Sequence, residues 1–168
     1  MLTRAGVPAL IAVVLAITNA AGTAHAAVVV PSACTLLTPA DVQAAFGGTS
    51  DAGDLTTAPD GHESICQWIV SAAKGGGFGV QLDVKRGFGK KVFAEQRRIA
   101  SAPTKLVKHL GDGAFSERAK IGSQVFDDLW VRRGPIGFRV EALRDLGPKP
   151  LIAASRIVLA RLAAGSPH

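Results

Sequence analysis

Apolar and polar positions along this chain repeat with two different periods. Phe78, Val80, Leu82 and Val84 alternate with Gly79, Gln81 and Asp83, and Ile136, Phe138, Val140 and Ala142 alternate with Gly137, Arg139 and Glu141. A period of two places each apolar set on one face of a β-strand. Residues 65–71, ICQWIVS, have strand composition, and Lys74-Gly75-Gly76-Gly77 turns them into 78–84 as a hairpin. Shorter strand signals follow at 113–118 and 122–133, and Arg133-Gly134-Pro135 turns the chain into the strand that starts at Ile136.

Elsewhere the spacing is helical. Thr38 is an N-cap, Pro39 sits at N1, and Asp41 at N3 can close a capping box. Leu37 and Val42 form the staple across that cap, Val42, Ala45 and Phe46 share one face, and Gly47-Gly48 ends the helix. In 88–101, Val92, Phe93, Gln96, Ile99 and Ala100 group on one side and Lys90, Lys91, Arg97 and Arg98 on the other, up to Pro103. Pro148 and Pro150 introduce a last helix with Leu151, Val158, Leu159 and Leu162 on one face. Residues 47–64 read as a long surface loop and 104–113 as a connection. The order α-β-β-α-β-β-β-α, with strands joined by short turns, predicts an α+β domain whose helices pack on a mostly antiparallel sheet.

Two strands are apolar on both sides. Cys66, Trp68 and Val70 oppose Ile65 and Ile69, while Val125, Leu129 and Val131 oppose Phe126 and Trp130. Either these are a central pair covered by helices on both faces, or the Phe126/Trp130 side lines an apolar groove for a ligand.

The start of the chain changes the compartment. A basic Met1–Arg4, an apolar Ala5–Ile17 and the Ala-x-Ala pattern ending at Ala26 are the three parts of a secretory signal peptide. The apolar run falls short of the about 18–20 residues of a membrane span. The expectation is a signal over 1–26 and a single exported domain over 27–168, secreted or held in the cell envelope, with no transmembrane segment after cleavage. Lipidation at Cys34 is disfavoured by Pro31, which stands where a lipoprotein signal carries an aliphatic residue. Two cysteines in an oxidising compartment pair, so Cys34 and Cys66 are expected to form a disulfide that staples the start of the first helix to the sheet. His62-x-x-x-Cys66, with Cys34, His109 or Asp112, has ligand-like spacing, but lacks the tight ligand pairs of zinc sites. No metal or other cofactor is expected.

Charge is unevenly distributed. Residues 27–73 hold five acids and no Lys or Arg, whereas 74–168 hold 18 bases and eight acids, a net +10. Lys85, Arg86, Lys90, Lys91, Arg97 and Arg98, opposed by Glu95, give +5 within 14 residues. On an exported protein such a face suits anionic lipid headgroups, an anionic wall polymer or an acidic protein. Nucleic acid is not expected, because the bases lack interleaved aromatics.

Four groups of residues also carry a resemblance. They are Cys34-x-Leu36-Leu37-Thr38 with Val42 and Gly47 downstream, Cys66-x-Trp68, Leu110-Gly111-Asp112-x-Ala114-Phe115, and Leu129-x-Val131-Arg132-x-Gly134. In this order they resemble a family of small exported proteins and lipoproteins of actinobacteria, mycobacteria especially, whose function is not established. The similarity covers roughly residues 33–162. It implies that the two cysteines pair, and it carries over no activity and no catalytic residue. Many relatives have an additional lipobox cysteine, which this chain lacks.

Catalytic patterns are weak. No G-x-S-x-G is present, and Gly75–Gly79 leads into a strand rather than a helix, unlike a phosphate loop. Asp127 and Asp128 are adjacent on a strand and point to opposite faces, so they cannot act as a glycosidase pair. His109 with Asp112 and Ser116 lies within one short segment, which seldom makes a triad. The leading expectation is a non-enzymatic exported envelope domain that binds through Lys90, Lys91, Arg97 and Arg98 or through Phe126 and Trp130. The runner-up is a minor hydrolase using His109 or His62.

Overall fold

A computed structural model describes residues 30–72 and 75–165, so the signal segment lies outside the described residues. The chain folds as α1 (Ala33–Leu36), α2 (Pro39–Phe46), β1 (Thr49–Ser50), β2 (Asp54–Thr57), β3 (Glu63–Ser71), β4 (Gly77–Arg86), α3 (Lys90–Arg98), β5 (Thr104–Leu106), β6 (Gly113–Ile121), β7 (Gln124–Arg133), β8 (Ile136–Ala142) and α4 (Pro148–Ala164). This is the α+β class expected, with every strand pair antiparallel. The sheet order is β1-β3-β4-β8-β7-β6-β5, with β2 also pairing β3.

Three short strands depart from the reading above. β1 and β2 lie within the segment read as a surface loop, and β5 within the connection. All four residues of β2, DLTT, are exposed, so no apolar alternation marked it; its pairing with β3 creates it. The two strands that are apolar on both sides are not a central pair either. β4 and β8 lie between β3 and β7.

The long hairpins follow from their turns. Gly122 (φ 62°) and Gly134 (φ 57°) each open a two-residue loop in a left-handed conformation that glycine adopts without strain. One face of the sheet carries Trp68, Val70, Val80, Leu82, Val84, Leu129, Val131, Phe138 and Val140, all buried. Helices α1, α2 and α4 pack on it. In α4 the buried residues Leu151, Ala154, Ser155, Val158 and Leu162 recur at helical spacing and form the stripe that meets the sheet.

The start of this layer is held at several points. Cys34 of α1 is bonded to Cys66 of β3, with Cα atoms 5.2 Å apart, and Ala33 N donates to Ser64 Oγ at 2.9 Å. The capping box forms as expected: Thr38 N donates to Asp41 Oδ2 (2.8 Å) and Asp41 N to Thr38 Oγ1 (3.4 Å). Arg161 of α4 adds a bond to the same carboxylate (2.5 Å) and one to Leu36 O (3.0 Å), tying the helices together. Both staple residues, Leu37 and Val42, are fully buried. The Cys34–Cys66 disulfide accords with an extracytoplasmic location. Among the described residues no helix is long and apolar enough to cross a membrane.

Candidate functional site

On the opposite face of the sheet the polar half of each alternating strand converges, and α3 touches that face at its β6 side, through Phe93 on Phe115. Register aligns Asp83 (β4), Arg139 (β8), Trp130 (β7) and Phe115 (β6) in one row. The next row along the strands reads Gln67, Gln81, Glu141, Asp128 and Glu117. The row after it is led by Ile69 and Gly79, with Phe126 opposite Ala119.

Arg139 is the centre of this face. Its Nε donates to Asp83 Oδ2 at 2.9 Å, and its other nitrogens lie 2.8 Å from the same oxygen, 2.9 Å from Glu141 and 3.7 Å from Asp128. The guanidinium sits 5.4 Å from the Trp130 ring centroid, within cation–π range. Gln81 Nε2 supplies the other oxygen of Asp83 (2.6 Å). One arginine thus serves several carboxylates, and the balance is incomplete. Among the described residues Asp128 Oδ1, Glu117 Oε2 and Trp130 Nε1 are buried without a hydrogen-bond partner, although Asp128 Oδ1 lies within ion-pair reach of Arg139. Burial pushes the Asp128 carboxyl up to about 7; Arg139 opposes the shift, while the charges of Glu141 and Glu117 and a hydrogen bond with Glu141 add to it.

Trp130 belongs to a small second core. It stacks on Phe88 (5.8 Å) and Phe115 (6.2 Å), and Phe93 of α3 closes on Phe115 (5.3 Å). Phe88 packs directly against Gly137, where any Cβ would overlap its side chain. Phe126 shares the face with Trp130 but is half-buried, and Asp128 stands between them. The Phe126/Trp130 side is therefore aromatic at one end and acidic at its middle, rather than a continuous apolar groove.

Helix α3 rests lightly on this core and buries no residue completely. Lys90, Lys91, Arg97 and Arg98 are all exposed. Arg98 pairs with Glu95 at 2.6 Å, and Arg97 Nε donates to Thr104 Oγ1 at 3.2 Å. Among the described residues no acid forms an ion pair with Lys90, Lys91 or Arg97. Val92 and Ile99, expected on the buried side, are 46% and 57% exposed. Val92 stands about 100° around the helix from Phe93, too far for a short helix seated along one line, and Ile99 is the C-cap, where the helical spacing has ended. Elsewhere the charges of the two halves mix, since Glu63 pairs Lys85 and Asp41 pairs Arg161.

A cavity of about 340 Å³ lies on the other face, between α4 and the outer strands, lined by Pro103, Lys105, Ser116, Arg118, Asp127 and Leu151. Glu117 and Asp128 line it as well, although strand alternation directs their side chains toward the opposite face. Asp127 is fully engaged: it accepts from Arg118 Nε (2.7 Å), Leu146 N (2.9 Å) and Gly147 N (2.8 Å). These bonds make it a structural cap for the approach to α4.

The two histidines stay apart from this chemistry. His62 is exposed after a turn, and His109 is exposed with φ 59°. Asp112, the imagined triad acid, is occupied by Gly134 N (2.7 Å), Arg132 and Arg133. Both sulfurs are in the disulfide, and among the described residues no cluster of three or more His, Cys, Asp or Glu side chains is arranged to hold a metal ion. Sequence reasoning missed Asp83, Glu117, Asp128, Arg139 and Glu141 as a group. Asp83, Arg139 and Glu141 were marked as polar halves of alternating strands and Asp128 as one of two adjacent acids, Glu117 carried no mark, and only register brings them together.

Comparison with protein-family models, curated proteins and solved structures gives no match.

Proposed function

We propose that this chain is an exported, non-catalytic binding domain that meets an anionic component of the cell envelope through the outer side of α3. The observation behind the reading is a helix that contributes almost nothing to the core yet displays Lys90, Lys91, Arg97 and Arg98 to solvent, three of them without an acidic partner among the described residues. A solvated helix face needs no such concentration of one sign, and a patch of this kind draws anionic surfaces toward it. The signal-like start and the disulfide support placement outside the cytoplasm.

The test is co-sedimentation with vesicles containing anionic lipid, against neutral vesicles and anionic cell-wall polymer. Each base near an anionic surface contributes roughly 1 kcal/mol, so replacing all four by Ala is expected to weaken binding by about two to three orders of magnitude. Raising the salt should weaken the wild type as well. Binding unchanged in the quadruple variant, or no binding by the wild type to any of these, overturns the proposal.

A further inference from the structure

Exposed apolar side chains are not spread evenly over this protein. Seven large ones are exposed among the described residues, and three of them, Val92, Ile99 and Leu106, fall within one 15-residue stretch. A lone exposed apolar residue is ordinary, whereas a group of them marks a surface that meets something other than water. The four exposed bases of α3 lie in and beside the same stretch. Only Phe93 and Gln96 of α3 are half-buried, and its other seven residues are exposed. The helix therefore stands out from the sheet on Phe93, which rests on Phe115. β5 runs along its flank: Arg97 Nε donates to Thr104 Oγ1, and Leu106 is the cross-strand partner of Phe115. Directly opposed residues of antiparallel strands project to one face, so Leu106 emerges on the same face as α3 and is 63% exposed. Glu95, the one acid of α3, is paired with Arg98.

Charge alone suits a wall polymer or an acidic protein as well as a membrane. The apolar side chains among the bases discriminate. A hydrated polyanion offers them nothing to be buried in, and an acidic protein would need a recess matched to all three. A bilayer needs no matched shape: it takes apolar side chains at the boundary of headgroups and acyl chains, while anionic headgroups meet the bases. Resting on the reading of α3 as the binding surface, we infer that its partner is an anionic lipid bilayer. Helix α3 and strand β5 lie against it, with Val92, Ile99 and Leu106 entering the interface and Lys90, Lys91, Arg97 and Arg98 among the headgroups. Long basic side chains reach outward past an apolar neighbour, so both sets engage at once. The contact is peripheral and involves no spanning segment.

The experiment compares binding to vesicles of mixed phosphatidylglycerol and phosphatidylcholine with binding to soluble polyphosphate, which has the charge without the bilayer. The triple variant Val92→Gln, Ile99→Gln, Leu106→Gln keeps every charge and alters only exposed positions. It should bind the vesicles about 100-fold more weakly than the wild type, with polyphosphate binding and the denaturant midpoint unchanged. Leu55→Gln with Ile69→Gln, exposed apolar residues at the other edge of the sheet, should leave vesicle binding as it is. Val92→Trp reports insertion directly: its emission should shift to the blue on the anionic vesicles and be quenched by lipid brominated high on the acyl chain. Equal vesicle binding by the wild type and the triple variant, binding to polyphosphate alone, or a Val92→Trp indole that stays in water on bound vesicles overturns the membrane assignment and leaves the basic surface standing. Binding to neither probe removes the basic surface as well.

Discussion

Asp128→Asn should make the folded protein less sensitive to pH and more stable at neutral pH. Asp128 is buried on β7, faced by Arg139 and Glu141 of β8, Glu117 of β6 and, through Arg139, Asp83 of β4. Burial raises its carboxyl from 3.8 to about 7. Glu141 shares a hydrogen bond with it, so the titration belongs to the pair. Between these pH values the folded chain keeps a proton that the unfolded chain has lost. Stability therefore falls as pH rises through that window and levels off above it. The interval, at ~1.4 kcal/mol per pH unit, corresponds to about 4 kcal/mol. Asp41, Glu95, Asp112 and Asp127 lie below their ordinary values, so what they contribute is lost only as pH falls below about 4, outside this window. Asparagine carries no charge at any pH and can donate to Glu141 as the protonated acid does. Denaturant unfolding at intervals from pH 4 to 8 is the assay. The wild type should lose stability along that series while the variant stays level, the two meeting near pH 4 and parting by up to about 4 kcal/mol at pH 8. Parallel curves, or a variant less stable than the wild type at pH 8, would refute the account of this face.

Removing the disulfide as Cys34→Ala with Cys66→Ala opens a loop with a sequence separation of 32, and should cost roughly 3–4 kcal/mol in denaturant unfolding; two reactive thiols in the denatured wild type would contradict the bond. Gly137→Ala pushes a methyl group into the Phe88 ring and should cost about 1–3 kcal/mol, with a change in Trp130 fluorescence in a Trp68→Phe background. Asp127→Ala leaves Leu146 N, Gly147 N and Arg118 without their shared acceptor, a loss of about 1–3 kcal/mol at neutral pH. Because the Asp127 carboxyl is held low, that loss should shrink as pH falls below about 4, which a pH series of melting temperatures would reveal.

What local pattern encodes, the sequence displays. Thr38, Pro39 and Asp41 specify the capping box within four residues, and alternation from Phe78 to Val84 specifies both the strand and its buried side. The short strands β1, β2 and β5 had no such mark, because each exists only through a neighbour that finds it in space. The same limit hid the charged face. Asp83, Arg139 and Asp128 come from three strands, and an alternating pattern says only that each faces away from the apolar side. Whether that side meets water or a helix depends on where α3 lands. Val92 and Ile99 were misplaced for a related reason: helical spacing defines a stripe, but the width of the contact is set by the partner surface, here a narrow aromatic ridge around Phe93.

A sheet face that served stability alone would carry apolar residues where Asp128 is buried and Glu117 and Glu141 are half-buried. Replacing buried ionic groups by packed apolar ones is often neutral or stabilising, so stability does not account for them. Orphaned oxygens beside a half-seated helix are costlier still. Asp128→Asn puts this to the test, because the amide keeps the shape of the acid and loses its charge. A variant stronger than the wild type near pH 8 would mean that the carboxylate is not there for the fold, and a weaker one would return it to the structure's own account.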